Sequence, residues 1–145
     1  VKRARRKTAR LLAVFCIAGA GAVLAQGAQF RVRLSTVPIS AAERATVTGH
    51  GQAMATLDGR RLTVSGTFSG LQGPATTAAL HLGRATGVRG PAIHELNVSS
   101  SADGELSGTV SLSRSEVQAL EDGRVYIQIH SEAATDGNLW GWLLE

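Results

Sequence analysis

Hydrophobic and polar residues alternate with a period of two along most of the chain after residue 28. Phe30, Val32 and Leu34 alternate with Arg31, Arg33 and Ser35, which predicts a strand with one buried face. Thr46–Leu57 carries small residues at every second position, Gly49, Gly51, Ala53 and Ala55, before ending at Leu57. Asp58-Gly59 predicts a hairpin turn. Arg61–Ser69 is its partner strand, with Leu62, Val64, Gly66 and Phe68 on one face. Gly70–Pro74 reads as a turn, Thr76–Leu82 as a strand and Gly83–Pro91 as a glycine-rich loop. Ala92–Val98 is a short strand, Ser99–Gly104 a polar turn, and Glu105–Leu112 alternates again. Val125, Ile127 and Ile129 alternate with Tyr126, Gln128 and His130, and Leu139–Leu144 closes the chain.

One segment departs from this period. Ser113 and Glu116 have the spacing of a capping box, in which each side chain bonds the other residue's amide. Val117 and Leu120 then share a face, and Gly123 stops the helix. The result is a short helical crossover at about residues 113–122. Strands recurring at about 8–12-residue spacing with one crossover predict an all-β antiparallel sandwich or barrel. No repeat or linker divides the pattern, so residues 26–145 read as one domain. That length buries a workable core without metals or disulfides.

The first 25 residues follow another rule. Lys2, Arg3, Arg5, Arg6, Lys7 and Arg10 precede the apolar run Leu11–Ala25. Val23 and Ala25 put small side chains at the −3 and −1 positions of a cut before Gln26. This is the secretory pattern, and it predicts a signal peptide over residues 1–25 and a secreted or periplasmic domain over 26–145. The alternative is an uncleaved anchor, although the run is short against the roughly 20 residues of a membrane span. Cys16, the single cysteine, lies inside the apolar run after Phe15, the wrong context for lipidation.

Charge changes the picture next. The chain carries 15 Lys+Arg and 11 Asp+Glu, net +4. Six of the basic groups belong to the leader, and without it nine face eleven, net −2. The basicity is therefore no argument for nucleic-acid binding by the folded part. One cysteine excludes an intrachain disulfide framework and a cysteine-rich zinc site.

The order of segments carries a resemblance. Phe30–Ser35, Gly51–Leu57, Leu62–Leu71, Gly73–Thr76, Ala79-Leu80-His81-Leu82-Gly83, Gly87–Pro91, Tyr126–Ser131 and Gly137–Leu143 together resemble a CHRD domain. This is the chordin-type module also found in many bacterial exported proteins. The resemblance spans residues 30–143. It implies a Greek-key β-sandwich and an extracytoplasmic setting, and it implies no particular reaction. Two positions depart from the family's pattern. Ala79 stands where a His-x-His strand would place its first histidine, and Trp140 stands where a polar residue usually precedes the second glycine.

Candidate chemistry is sparse. His81 faces with Ala79 and Thr77, and His130 with Gln128 and Tyr126. On neighbouring strands the two imidazoles would meet and offer two nitrogens to copper or zinc, with His94 or Glu132 as a third ligand. The plainer assignment is that each histidine bonds a loop carbonyl and fixes the fold. Trp140 and Trp142 share a face of the last strand and, with Tyr126, form a candidate binding surface for a sugar or protein. Gly83–Gly90 lacks the lysine and following helix of a phosphate loop. The serine-rich stretches contain no Gly-x-Ser-x-Gly elbow, so no catalytic residue is assigned. The reading is an exported binding or structural module, not an enzyme, whose partner is a protein or cell-envelope polymer. No cofactor is expected; the alternative is a copper- or zinc-binding protein.

Overall fold

The computed structural model describes residues 27–145, so the predicted signal peptide and Cys16 lie outside the described residues. Eight strands follow in order: β1 (Ala28–Thr36), β2 (His50–Asp58), β3 (Arg61–Ser69), β4 (Ala75–Leu82), β5 (Ala92–Val98), β6 (Gly104–Ser111), β7 (Val125–Ser131) and β8 (Ala134–Trp142). The helix α1 (Arg114–Glu121) lies between β6 and β7, and a 3-10 helix (Ala41–Ala45) lies between β1 and β2. Every pairing is antiparallel.

The strands close into a barrel in the order β1-β2-β3-β6-β5-β4-β7-β8. This corrects the expected open Greek-key sandwich. Two strands make the difference, because each serves two neighbours. Along β1, Ala28–Leu34 pair with β2, and then Ser35 and Thr36 pair with Trp140 and Leu139 of β8. Along β5, Ala92–Leu96 pair with β4, and Asn97 and Val98 pair with Ser107 and Leu106 of β6. A strand with one buried face alternates identically in a sandwich and in a barrel, so the hydrophobic pattern is blind to this closure.

The interior is filled by the predicted faces. Phe30, Val32, Leu34, Leu62, Val64, Phe68, Leu80, Leu106, Ile127, Ile129 and Leu139 are buried in one cluster. Helix α1 adds Ala119 and Leu120 to it. Its start is the capping box expected from sequence: the Glu116 amide donates to Ser113 Oγ at 3.2 Å, and the Ser113 amide donates to Glu116 Oε2 at 2.6 Å. Gly123 follows at φ +68°. The β2–β3 hairpin also forms, with Asp58 paired to Arg61 and Gly59 at φ +59°. The two loop residues are Gly59-Arg60, with glycine first, as a type II′ turn requires. Among the described residues no helix is long and apolar enough to cross a membrane.

Candidate functional site

Strand β7 is buried on both faces along almost its whole length. Its inner residues Val125, Ile127 and Ile129 face the core, and its outer residues Tyr126 and Gln128 are also buried. The outer face is therefore a second packed layer. Register builds it in rows. His81 of β4, Tyr126 of β7 and Trp142 of β8 align, as do Ala79, Gln128 and Trp140, and Thr77 aligns with His130.

His81 and His130 lie on neighbouring strands, the condition under which their imidazoles meet. Their ring centroids are 6.3 Å apart, with planes 27° from parallel. His81 also stacks on Tyr126 at 5.0 Å. Tyr126 in turn meets Trp142 at 4.5 Å and Trp140 edge-on at 5.8 Å. Small Ala79, between the two histidines on the outward side of β4, leaves room for both rings to lean together.

The glycine-rich loop after β4 straps this layer down. The Gly90 amide donates to the Tyr126 hydroxyl at 3.0 Å, and that hydroxyl lies 3.1 Å from the Gly90 carbonyl. His81 Nδ1 donates to the same carbonyl at 2.9 Å. Arg89 Nη1 reaches the Asp136 carbonyl at 3.0 Å, tying the loop to β8. On the far side, Val37, Ile39 and Val47 of the β1–β2 connection pack with Ala134 and Trp140.

These bonds fix the proton positions. A carbonyl can only accept, so His81 carries its proton on Nδ1 and bears a lone pair on Nε2. His130 Nδ1 likewise donates to the Thr135 carbonyl at 2.8 Å, and its Nε2 accepts from the Gln128 amide nitrogen at 3.0 Å. Burial pushes the His81 pKa below the ordinary histidine value. The Gly90 carbonyl opposes that shift, and the neighbouring His130 and Arg89 add to it. Three buried polar atoms of this layer have no protein partner: His81 Nε2, Gln128 Oε1 and Trp142 Nε1.

The proposed third metal ligands are not brought here. His94 of β5 is paired in register with inward-facing Leu80, and its Nε2 lies 3.2 Å from Glu116 Oε1 of α1. Glu132 is exposed in the β7–β8 turn. Among the described residues no group of three His, Cys, Asp or Glu side chains is placed to hold a metal ion. Two imidazoles alone do not make a tight copper or zinc site.

The family model for the CHRD domain matches residues 30–143, from the start of β1 to just past β8. The chain belongs to the CHRD family. No curated protein and no solved structure matches it. In this CHRD domain the two departures noted in the sequence, Ala79 and Trp140, fall in the same middle row of the outer layer, on either side of Gln128.

Sequence reasoning missed a concavity on another wall of this CHRD domain. A cleft of about 920 Å³ lies on the other wall, outside β1, β2, β3 and β6, between Arg31, Arg33, Met54 and Glu105. Its signal was present in the run of small residues at alternate positions of β2.

Proposed function

We propose that this CHRD domain is an exported, non-catalytic binding module that holds a polyhydroxylated cell-envelope polymer on the outer layer of β4, β7 and β8. The carrying observation is the trio of buried, unpartnered polar atoms beside the two half-buried tryptophans. A buried donor or acceptor without a partner costs about 1–3 kcal/mol. Three of them cost a sizeable part of the roughly 5–15 kcal/mol by which a domain is stable. A ligand whose hydroxyls reach them, which requires the half-buried tryptophans to part, recovers that free energy as affinity. Trp142 Nε1 needs an acceptor, whereas Gln128 Oε1 and His81 Nε2 need donors. A hydroxyl group is both at once. Aromatic rings beside a few fixed polar groups are the usual lining of a ligand site.

Other features support the reading. Membership of the CHRD family favours a binding or structural role. Both site histidines commit Nδ1 to backbone carbonyls, and neither Nε2 is bonded to a hydroxyl nucleophile. The charged and apolar segments of residues 1–25 support export.

The two tryptophans of the chain both lie in this layer, so intrinsic fluorescence reports on the site directly. Titration of the full chain with chitohexaose, cellohexaose and maltohexaose is expected to give a saturable emission change with at least one glycan. Gln128→Leu keeps the volume, removes the unpaired oxygen together with the donor to His130 Nε2, and is expected to weaken binding at least tenfold while the domain stays folded. Absence of both emission change and calorimetric heat with all three glycans overturns the proposal.

A further inference from the structure

The cleft on the other wall has a structural cause. Inward rows of the barrel run Leu34, Gly51, Phe68 and then Val32, Ala53, Gly66, Leu106 across β1, β2, β3 and β6. The middle of each row holds alanine or glycine instead of a large side chain. A Cβ on Gly66 would lie 2.6 Å from the Gln52 carbonyl oxygen and 2.7 Å from the Ala53 Cβ, and one on Gly51 would run into the Thr67 carbonyl. With so little volume inside, the wall is drawn towards the core and its outer surface becomes concave. A smaller cleft of about 410 Å³ continues the first past Gln52 and Thr67 to His50 and Ser69. Together they form one trough along β2 and β3. The larger part alone is near the top of the roughly 300–1,000 Å³ range of ligand sites.

The trough has a charged side and a hydroxyl floor. One outward row runs Arg33, Gln52, Thr67, Glu105, and the next runs Arg31, Met54, Ser65, Ser107. Arg31 and Arg33 stand two residues apart on one face of β1, about 7 Å along the strand. Among the described residues the ion pairs are His94 with Glu116 and Arg124 with Asp122, so neither trough arginine has an acidic partner. Glu105 lies three strands from Arg33, about 14 Å away. Both arginines are exposed.

We infer that this trough binds an acidic polysaccharide, with its anionic groups on Arg31 and Arg33 and its hydroxyls on Gln52, Ser65, Thr67 and Ser107. Arginine presents a fork of donors that matches a carboxylate or sulfate. Serine, threonine and glutamine offer the mixed donors and acceptors that sugar hydroxyls need. The chemistry disfavours an acidic peptide. Extended peptides dock by adding to a free sheet edge and by inserting side chains into pockets. The floor of the trough is β2 and β3, each paired on both sides, so it offers no free edge, and it is hydroxylated. The site lies on a different wall from the histidine layer, and its occupancy is independent of what that layer holds.

The basic residues 2–10 attract polyanions by themselves, so the test must locate binding as well as detect it. The probes are hexagalacturonate for carboxylates, a heparin hexasaccharide for sulfates, maltohexaose for neutral sugar and hexaglutamate for acidic peptide. Amide chemical shifts of the full chain are followed during each titration. Expected are saturable shifts at Arg31, Arg33, Gln52 and Thr67 with hexagalacturonate or the heparin fragment; the stronger of the two identifies the anionic group. Arg31→Ala/Arg33→Ala is expected to weaken binding at these amides at least tenfold in an otherwise native spectrum. Shifts confined to the N-terminal basic residues overturn the inference, as do shifts unchanged in the double variant. Equal or tighter binding of hexaglutamate or maltohexaose also overturns it.

Discussion

At the scale of single residues, His81 shows how burial couples this site to stability. Burial is the largest influence on its imidazole and favours the neutral form, so its folded pKa lies below the unfolded value of about 6.5. Between those two values the unfolded chain binds a proton that the folded chain refuses. Stability therefore falls as pH drops below about 6.5 and stops falling from this cause once pH passes the folded value. Glu43, Glu116 and Asp122 have lowered pKa values, chiefly through hydrogen bonds from Ser40, from Ser113 and from Gln118 with Arg124. Their contribution is complete above the ordinary carboxylate range and is lost in stronger acid, so the histidine window is separable. His81→Asn keeps a side-chain donor for the Gly90 carbonyl and removes the titration. Urea unfolding between pH 7.5 and 5.0 is expected to show a shallower loss of stability in this variant than in the parent. Identical slopes would mean that the imidazole titrates alike in the folded and unfolded chain, so that burial does not depress its pKa.

Elements differ in how much of them the sequence reveals. Helix α1 is legible because its capping box and terminal glycine are local devices that act the same in any fold. The same device, Ser40 with Glu43, caps the 3-10 helix at Ala41–Ala45, a segment the sequence reading did not assign. Strand β8 starts five residues before the Leu139 that the sequence predicts, because the turn between Ser131 and Ala134 contains neither glycine nor proline. The histidine and tryptophan layer was legible in part: a period of two puts these side chains on the outward face. The rows that join them depend on the order of strands, which no local pattern encodes. In sequence the loop over this layer reads only as a connection, whereas it works as a strap. Its key position is Gly90, where a Cβ would run into the Leu82 carbonyl. Gly90→Ala must push the loop off β4, stretching the bonds to Tyr126 and His81 together. Overpacking of this kind costs about 1–3 kcal/mol. Chemical denaturation should show a loss in that range, and the emission of Trp142, which stacks on Tyr126, should shift with it. An unchanged spectrum with full stability would show that the loop is not a strap.

For the whole molecule, closure is the property that separates this barrel from the Greek-key sandwich that the resemblance implies, and closure rests on little backbone. The β2–β3 ladder runs unbroken from His50 with Ser69 to Asp58 with Arg61. The β1–β8 seam consists of Ser35 with Trp140 and Thr36 with Leu139, continued by the Val37 amide on the Asn138 carbonyl at 3.1 Å. The β5–β6 seam consists of Asn97 with Ser107 and Val98 with Leu106, continued by the Ser99 amide on the Glu105 carbonyl at 3.0 Å. Opening either seam breaks few hydrogen bonds and leaves most core contacts in place, whereas separating β2 from β3 exposes the core. Local openings of low free energy should therefore run along the seams, and the domain should behave as two sheets hinged at β1 and β5. Native-state hydrogen exchange tests this directly. Amides at Ser35–Val37 and Asn97–Ser99 are expected to exchange at least tenfold faster than those at Ala53–Leu57 and Leu62–Val64, with little dependence on denaturant. Exchange of all four segments at one rate, with the denaturant dependence of global unfolding, would instead make the barrel a single cooperative unit. The trough crosses β1, one hinge strand, and the histidine layer borders the β1–β8 seam at Trp140. In the hinged case, a ligand that bridges β1 to β2 and β3 would stiffen one sheet, and protection at the seam would report its binding at a distance.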